Sequence, residues 1–187
     1  MRCSWAEGDE MRTYHDEEWG VPLHGDAKLF ELLTLEGAQA GLSWLTILKR
    51  RPGYVKAFKK FNPKVVAAFT VTDVERLLEN DGIIRHRGKI ESTINNAGAV
   101  LNLQRSGSSL DELLWSFVDN TPLQRNWTRD PNAPASTPEA TRMSKELKMR
   151  GFRFVGPTTC YSLMQAAGLV NDHSPTCFRY AEVRPLR

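Results

Sequence analysis

Histidine and cysteine residues lie near both ends of the chain, at spacings that could hold a metal ion. Three residues separate His173 from Cys177 in the stretch NDHSPTC, and Cys3 and His15 lie near the N-terminus. Structural zinc prefers four nitrogen or sulfur ligands, and this set offers two of each. The His173–Cys177 pair alone is weak evidence, since most such pairs bind nothing. Asp172 could instead be a catalytic acid beside a bystander histidine.

Glu36 is a second candidate for chemistry, because it interrupts an apolar helical stripe. Residues 27–50 are predicted to form one helix, whose stripe contains Leu29, Leu33, Glu36, Ala40, Trp44 and Ile47. A carboxylate there is unfavourable unless it is paired, hydrogen-bonded or at a cavity. Two interpretations stay open: a pair with an internal arginine or a helix cap, or a pocket floor with Trp44 as a wall. Gly37 and Gly41 weaken the helix and could mark a bend.

The first 20 residues are rich in aromatic side chains, namely Trp5, Tyr14 and Trp19. Tryptophans are more often core residues than ligand contacts. An aromatic cleft around one buried carboxylate would nevertheless suit a flat, cationic or donor-rich heterocycle.

Residues 145–167 predict a helical hairpin with a turn from Gly151 to Gly156, after which Pro157 and Thr158 begin a helix. Backbone N–H groups at such a helix start suit a phosphate. Basic residues are grouped here: Arg142, Lys145, Lys148, Arg150 and Arg153. A plain hairpin with a solvated basic face is the alternative.

Composition and patterning indicate a single all-α domain over residues 1–187. Charged residues make up 25% and hydrophobic residues 41% of the chain, as in ordinary globular proteins, and the net charge of +3 merely permits a nucleic-acid partner. The sequence lacks a membrane-length apolar run and an apolar signal core, so we expect a cytoplasmic protein. Three cysteines, an odd count, argue against a disulfide framework, and Cys160 is interpreted as a core thiol.

Helical patterns are separated by glycine, proline and asparagine. The helix over 27–50 is expected to break at Arg51-Pro52-Gly53, and Thr72 is expected to cap the helix over 73–80. The other predicted helices cover 54–61, 63–69, 86–105, 109–118, 137–150 and 157–167. The segment 119–138 is the longest predicted loop, and a short strand pair near 119–130 stays open.

Ordered sequence blocks between residues 3 and 177 resemble the bacterial 3-methyladenine DNA glycosylase I family, which belongs to the helix-hairpin-helix superfamily. The blocks are Cys3-x-Trp5, Tyr14-His15-Asp16-x-Glu18-Trp19-Gly20, Leu35-Glu36-Gly37-x-Gln39-Ala40-Gly41-Leu42-Ser43-Trp44, Gly82-Ile83-Ile84-Arg85-His86-Arg87-Gly88-Lys89, Gly151-Phe-x-Phe-Val-Gly156 and Val170-Asn171-Asp172-His173. The resemblance implies a helix-hairpin-helix glycosylase fold with a structural Zn²⁺. It implies that Cys3, His15, His173 and Cys177, in the terminal segments 3–15 and 173–177, are the ligands.

The resemblance also implies an activity. The family hydrolyses the N-glycosidic bond of 3-methyladenine in double-stranded DNA, releasing the free base and leaving an abasic site. Glu36 would act as the catalytic residue by accepting hydrogen bonds from the base edge. The base would be surrounded by Tyr14, Trp44, Trp5 and Trp19. The DNA backbone and stack would be contacted by Leu42 as a wedge, Gly41, Gly151, Gly156 and Thr158. We expect a monomer that needs no cofactor beyond zinc and no membrane.

Three positions bear on mechanism. Asn171 stands where many helix-hairpin-helix glycosylases carry a catalytic aspartate, and Asp172 is one residue out of register. Thr158 stands where lyase-competent relatives keep a lysine, so we expect a monofunctional enzyme. Met11 replaces an aromatic residue that family members often have three residues before Tyr14.

Two other functions compete with this one. The first is a non-catalytic, zinc-stapled helical module that binds damaged DNA, which would have no need of a carboxylate amid tryptophans. The second is a broader alkylpurine glycosylase, which would usually rely on the aspartate that Asn171 replaces.

Overall fold

The computed structural model describes residues 1–125 and 134–183, which fold mostly into helices. These residues form ten α-helices: α1 (Asp9–Glu17), α2 (Asp26–Gln39), α3 (Trp44–Ala57), α4 (Pro63–Val66), α5 (Val71–Leu78), α6 (Arg87–Arg105), α7 (Leu110–Ser116), α8 (Pro138–Met149), α9 (Pro157–Ala166) and α10 (Phe178–Glu182). A 3₁₀ turn, Lys59–Phe61, follows α3. The predicted helical fold is confirmed for the described residues.

Helix α2 forms the centre of the molecule. Every residue from Leu29 to Ala38 is buried except Glu31, and the helix packs against α3, α6, α7 and α9. Helices buried on nearly all sides are apolar all round rather than on one stripe. Glu36 therefore lies inside the core helix, near its C-terminal end.

The prediction of one helix over 27–50 was wrong about the position of the break. Helix α2 ends at Gln39, and Gly41, at φ +80°, makes a turn that residues with a Cβ adopt reluctantly. Ser43 then caps α3 by accepting a hydrogen bond from the Thr46 N–H. The expected break at 51–53 does not occur, because α3 continues through Pro52 to bury Tyr54 and Ala57.

The predicted cap at Thr72 was also wrong. Thr70 is the N-cap of α5, and the Asp73 carboxylate accepts a hydrogen bond from the Thr70 N–H at 3.0 Å. The reciprocal bonds of a capping box satisfy two backbone donors at once, which favours Thr70 over Thr72 as the cap.

Helices α8 and α9 pack together around a turn over residues 150–156, within the segment predicted as a helical hairpin. Asn96 of α6 holds this turn, since its amide donates to the Arg153 carbonyl (3.0 Å) and accepts from the Arg153 N–H (2.8 Å). The Ser144 hydroxyl donates to the Val155 carbonyl. Cys160 of α9 is fully buried, as expected of a core thiol.

The described residues contain two short strands, β1 (Leu123–Gln124) and β2 (Val170–Asn171), which pair in parallel. Strand β1 lies in the segment for which a strand pair was considered, but its partner comes from the far end of the chain. Residues 126–133 of the predicted loop lie outside the described residues. Within the described ranges, no helix has the length and apolar character needed to span a membrane.

Candidate active site

A cavity of about 320 Å³ lies between the N-terminal segment, α2, α3 and α9. Five residues singled out in the sequence line it: Trp5, Tyr14, Trp19, Glu36 and Trp44. Met11, the residue expected at the pocket edge, also lies in the lining. The structure therefore brings the N-terminal aromatic residues and the α2 carboxylate together, although they are distant in sequence.

Aromatic rings form the walls beside Glu36. The ring centroids of Trp5 and Trp19 are 4.9 Å apart at 76°, and those of Tyr14 and Trp44 are 5.4 Å apart at 51°. Trp44 reaches the cavity from the start of α3, not from two turns along the helix of Glu36 as the stripe implied. Aromatic rings beside a buried acidic residue suit a flat cationic ligand.

Glu36 is a buried acidic residue of this cavity. Its side chain is 5% exposed, and its Oε2 has no hydrogen-bond partner among the described residues. Burial raises the pKa of Glu36 to about 8. A structural ion pair would have supplied a cation within reach and lowered the pKa, so the geometry favours the pocket interpretation.

The α9 side of the cavity contains polar residues that the sequence reasoning missed. Ser162 and Gln165, three residues apart on α9, face the cavity together with Gln39 of α2. Their signal in the sequence is the spacing of three, which places polar residues on one face of an otherwise apolar helix. Asp172, weighed earlier as an alternative acid, lies on the same wall and is 7% exposed.

Asn171 lies beside this wall but belongs to the internal hydrogen-bond network. Its amide donates to the Gln124 side chain and to the Tyr180 carbonyl, both at 3.0 Å, and its oxygen accepts from the His173 N–H. These contacts fix the segment around β2. Asn171 is thus buried among protein groups and is absent from the cavity lining.

The four proposed metal ligands, Cys3, His15, His173 and Cys177, form one buried cluster whose ligand atoms lie within 4.8 Å of one another. The sulfur–nitrogen distances are 3.6 Å for Cys3–His173, 3.4 Å for Cys177–His15 and 3.6 Å for Cys177–His173. Tetrahedral zinc, with bonds of about 2.3 Å to sulfur and about 2.1 Å to nitrogen, separates such atoms by about 3.6 Å. The cluster therefore fits a zinc ion with two sulfur and two nitrogen ligands.

Both histidines of the cluster use their second ring nitrogen to contact a neighbour. His15 Nδ1–H donates to Asp16 (2.8 Å), whose carboxylate is also held by Arg2, and His173 Nε2–H donates to the Trp19 carbonyl (3.0 Å). Metal-binding histidines usually have such a second contact, which fixes the ring and its tautomer. Burial lowers the pKa of His173 to about 4, which favours the neutral imidazole that metals bind.

The cluster and the cavity share chain segments. Tyr14 precedes His15, Asp172 precedes His173, and Trp5 lies two residues after Cys3. Each of these neighbours lines the cavity. The positions of the cavity walls therefore depend on the same segments that the cluster joins.

A shallow cleft adjoins the cavity and shares Glu36, Gln39 and Ser162 with it. Gly41, Leu42 and Thr158 line the cleft, and Leu42 is 40% exposed. The Lys89 ammonium holds the turn beside Leu42 by donating to the Ala38 and Ala40 carbonyls, each at 2.8 Å. Sequence reasoning did not single out Lys89 for this contact. Gly151 begins the α8–α9 turn outside the cleft lining, and Gly156 is the N-cap of α9.

Comparisons with known proteins agree with this geometry. The family model described as methyladenine glycosylase matches residues 5–180. The chain is 49% identical to DNA-3-methyladenine glycosylase 1 of Escherichia coli (strain K12) over 185 residues, covering 98% of this chain and 99% of that protein.

Solved structures show the same likeness. A crystal structure of 3-methyladenine DNA glycosylase I matches with a TM-score of 0.93 and 51% identity, over 95% of this chain and 98% of that one. A structure concerned with 3-methyladenine recognition by the Staphylococcus aureus enzyme matches with a TM-score of 0.92 and 37% identity, over 100% and 97% of the two chains. On its sequence, fold and cavity, the chain belongs to the methyladenine glycosylase family.

Proposed function

We propose that this chain is a monofunctional DNA glycosylase that hydrolyses the N-glycosidic bond of 3-methyladenine in double-stranded DNA. The products are the free base and an abasic site. The observation that carries the proposal is the aromatic-walled cavity around the buried Glu36 carboxyl, whose Oε2 has no hydrogen-bond partner in the part of the chain that the structure describes. The relatives named for 3-methyladenine support this base as the substrate.

Extrusion of the nucleotide from the duplex is the first requirement, because the glycosidic bond is inaccessible inside the base stack. Leu42, exposed beside the cavity mouth, is the wedge that fills the gap in the duplex, and Lys89 holds its turn. The α8–α9 pair acts as a helix-hairpin-helix motif. Gly151, Gly156 and Thr158 lie at phosphate contacts that carry no sequence information.

Recognition of the base follows from charge and shape. A 3-methyladenine nucleotide is cationic, so it favours aromatic faces and a carboxylate acceptor over water. Glu36 accepts hydrogen bonds from the base edge, Trp44 and Tyr14 stack against or bond the ring, and Trp5 and Trp19 complete the walls. Entry of a cation also favours ionisation of Glu36, whose pKa of about 8, raised by burial, favours the neutral form at neutral pH.

Bond cleavage needs little help at the leaving group. When the bond between C1′ and the base nitrogen breaks, its electron pair moves to the base and neutralises the positive charge. No protonation of the base is required. Water adds its oxygen to C1′ and loses a proton to solvent. The absence of an aspartate at Asn171 is compatible with this chemistry, and Thr158 in place of a lysine leaves no amine there to form a Schiff base.

Zinc has a structural role in this proposal. Cys3, His15, His173 and Cys177 would occupy all four positions, so no coordination site is left for water or substrate. The ion would join the two terminal segments and so stabilise the cavity walls between them. The proposal includes a monomeric protein in the bacterial cytoplasm, where the DNA substrate lies.

The test is release of free base from methylated duplex DNA, separated by chromatography. We expect release of 3-methyladenine, with little 7-methylguanine. Tight binding to methylated DNA without any released base would support the non-catalytic module instead. Comparable release of 7-methylguanine would support a broad alkylpurine glycosylase.

A matched pair of variants tests the role of Glu36. Glu36→Gln keeps the shape but turns one acceptor into a donor, and Glu36→Ala removes both oxygens. Each is expected to weaken 3-methyladenine binding by about 1–3 kcal/mol, because a polar group of the base loses its partner in a desolvated cavity. A large fall in Tm with base affinity unchanged would instead show that Glu36 is structural.

A further inference from the structure

The cavity contains a second acidic residue, Asp172, in the segment that follows β2. The residue is buried, and two donors from α9 hold the same oxygen, Oδ2. These are the hydroxyl of Tyr161 and the side-chain amide of Gln165, the latter at 2.8 Å. Two donors on one oxygen fix the orientation of the carboxyl group within the cavity.

Neighbouring side chains in this segment have different roles. The Asn171 side chain is hydrogen-bonded to Gln124, to the Tyr180 carbonyl and to the His173 N–H, and these contacts anchor the backbone from which Asp172 extends. The acid that faces the cavity is therefore Asp172. It lies one position after Asn171, which stands where many helix-hairpin-helix glycosylases carry their catalytic aspartate. Tyr161, which positions it, is itself buried in α9.

The proposed reaction moves positive charge from the base to the sugar. Before cleavage the charge is on the methylated ring. As the bond to C1′ breaks, the base takes the electron pair and becomes neutral, and the positive charge appears on the deoxyribose. A group fixed in place before the reaction stabilises such a charge without reorganising, and it acts most strongly where water is excluded.

We propose that Asp172 is a catalytic residue that contacts the deoxyribose and the attacking water, and that Tyr161 and Gln165 are its positioning residues. This inference rests on the proposed glycosylase activity. It divides the work of the two acidic residues: Glu36 recognises the base, and Asp172 stabilises the charge that forms on the sugar. The water oxygen bonds to C1′, and its proton leaves to solvent.

Asp172→Asn tests this division, because it removes the charge but keeps the size and one acceptor oxygen. We expect the single-turnover rate of 3-methyladenine excision from duplex DNA to fall on the order of 10²–10³-fold. Affinity for free 3-methyladenine, followed by quenching of tryptophan fluorescence, should stay at the wild-type value. In Glu36→Gln we expect the opposite pattern: affinity for free 3-methyladenine should fall more than the excision rate does.

Tyr161→Phe provides a second test, and it changes no residue that is next to a cluster ligand in the sequence. Loss of the hydroxyl frees the orientation of Asp172, so excision should slow by less than in Asp172→Asn, with base affinity retained. Tyr54→Phe is the matched control: Tyr54 is another buried tyrosine with a bonded hydroxyl, and it lies outside the cavity lining. Excision by this control should match the wild type.

Several outcomes would overturn the inference. Wild-type excision rates in both Asp172→Asn and Tyr161→Phe would show that the carboxylate has no role in catalysis. Equal losses of base affinity and rate would make Asp172 a base-recognition group. Should Asp172→Asn lose zinc or unfold, the Tyr161→Phe rate decides. Failure of the wild type to release any base would defeat the proposed function itself, which is a separate result.

Discussion

At the scale of single residues, Glu36 links stability to pH. Its pKa is raised by burial from 4.5 to about 8 in the folded protein, so the folded state holds one more proton than the unfolded state between these values. The stabilising contribution is fully present below about pH 4.5 and is lost as the pH rises through about 8. We expect a loss on the order of a few kcal/mol across this window.

The measurement is urea unfolding of zinc-loaded wild type and Glu36→Gln from about pH 5 to about pH 9. The difference between the two proteins isolates Glu36, because the remaining titrating groups are common to both. The free energy of unfolding of the wild type, relative to that of the variant, should fall steadily as the pH rises to about 8. Parallel curves would show that Glu36 titrates normally.

Asn171 supports a second prediction at this scale. Asn171→Ala should lower excision far less than the roughly 10²–10⁴-fold typical of a lost general acid or base. It should lower the free energy of unfolding, since the partners at Gln124, Tyr180 and His173 lose hydrogen bonds inside the protein. Abolished excision in a folded variant that still binds free 3-methyladenine would contradict this account.

At the scale of elements, the turn between α2 and α3 depends on Lys89. Lys89→Met removes two charge-assisted hydrogen bonds to the Ala38 and Ala40 carbonyls at the C-terminal end of α2, and we expect a loss of about 1–2 kcal/mol in stability. The excision rate on duplex DNA should fall more than the affinity for free base. The reason is that the turn carrying Leu42 is displaced, whereas Glu36 stays in place in α2. Lys56→Met, an exposed lysine on α3, is the matched control for lost charge. Equal losses in the two variants would show that only net charge matters.

The same turn shows what the sequence could and could not predict. Periodicity correctly predicts most of the helices, and Gly37 and Gly41 are candidates for a bend, but the sequence pattern places the stronger break at Arg51-Pro52-Gly53. Helix α3 continues through Pro52 because burial of Tyr54 and Ala57 outweighs the local penalty. The α9 wall of the cavity could not be predicted, since the approach of Ser162 and Gln165 to Glu36 depends on how whole helices pack.

At the scale of the whole molecule, the cysteine–histidine cluster joins the two ends of the chain. Treatment with a metal chelator, or His173→Ala, should lower the Tm and weaken 3-methyladenine binding together. Both effects follow because Tyr14, Asp172 and Trp5 adjoin the ligands. The measurements are thermal melts, base titrations and elemental analysis. Protein prepared without chelator that contains no stoichiometric zinc would contradict the assignment.

The burial of the thiols has a consequence for survival of the enzyme in an alkylated cell. All three cysteines of the chain, Cys3, Cys160 and Cys177, are buried, so none presents an exposed thiol to solvent. Burial raises the pKa of the Cys160 thiol to about 12, which suppresses the reactive thiolate. Methylating electrophiles that create the proposed substrate also attack thiolates. Burial of the three thiols thus limits the access of such reagents to them.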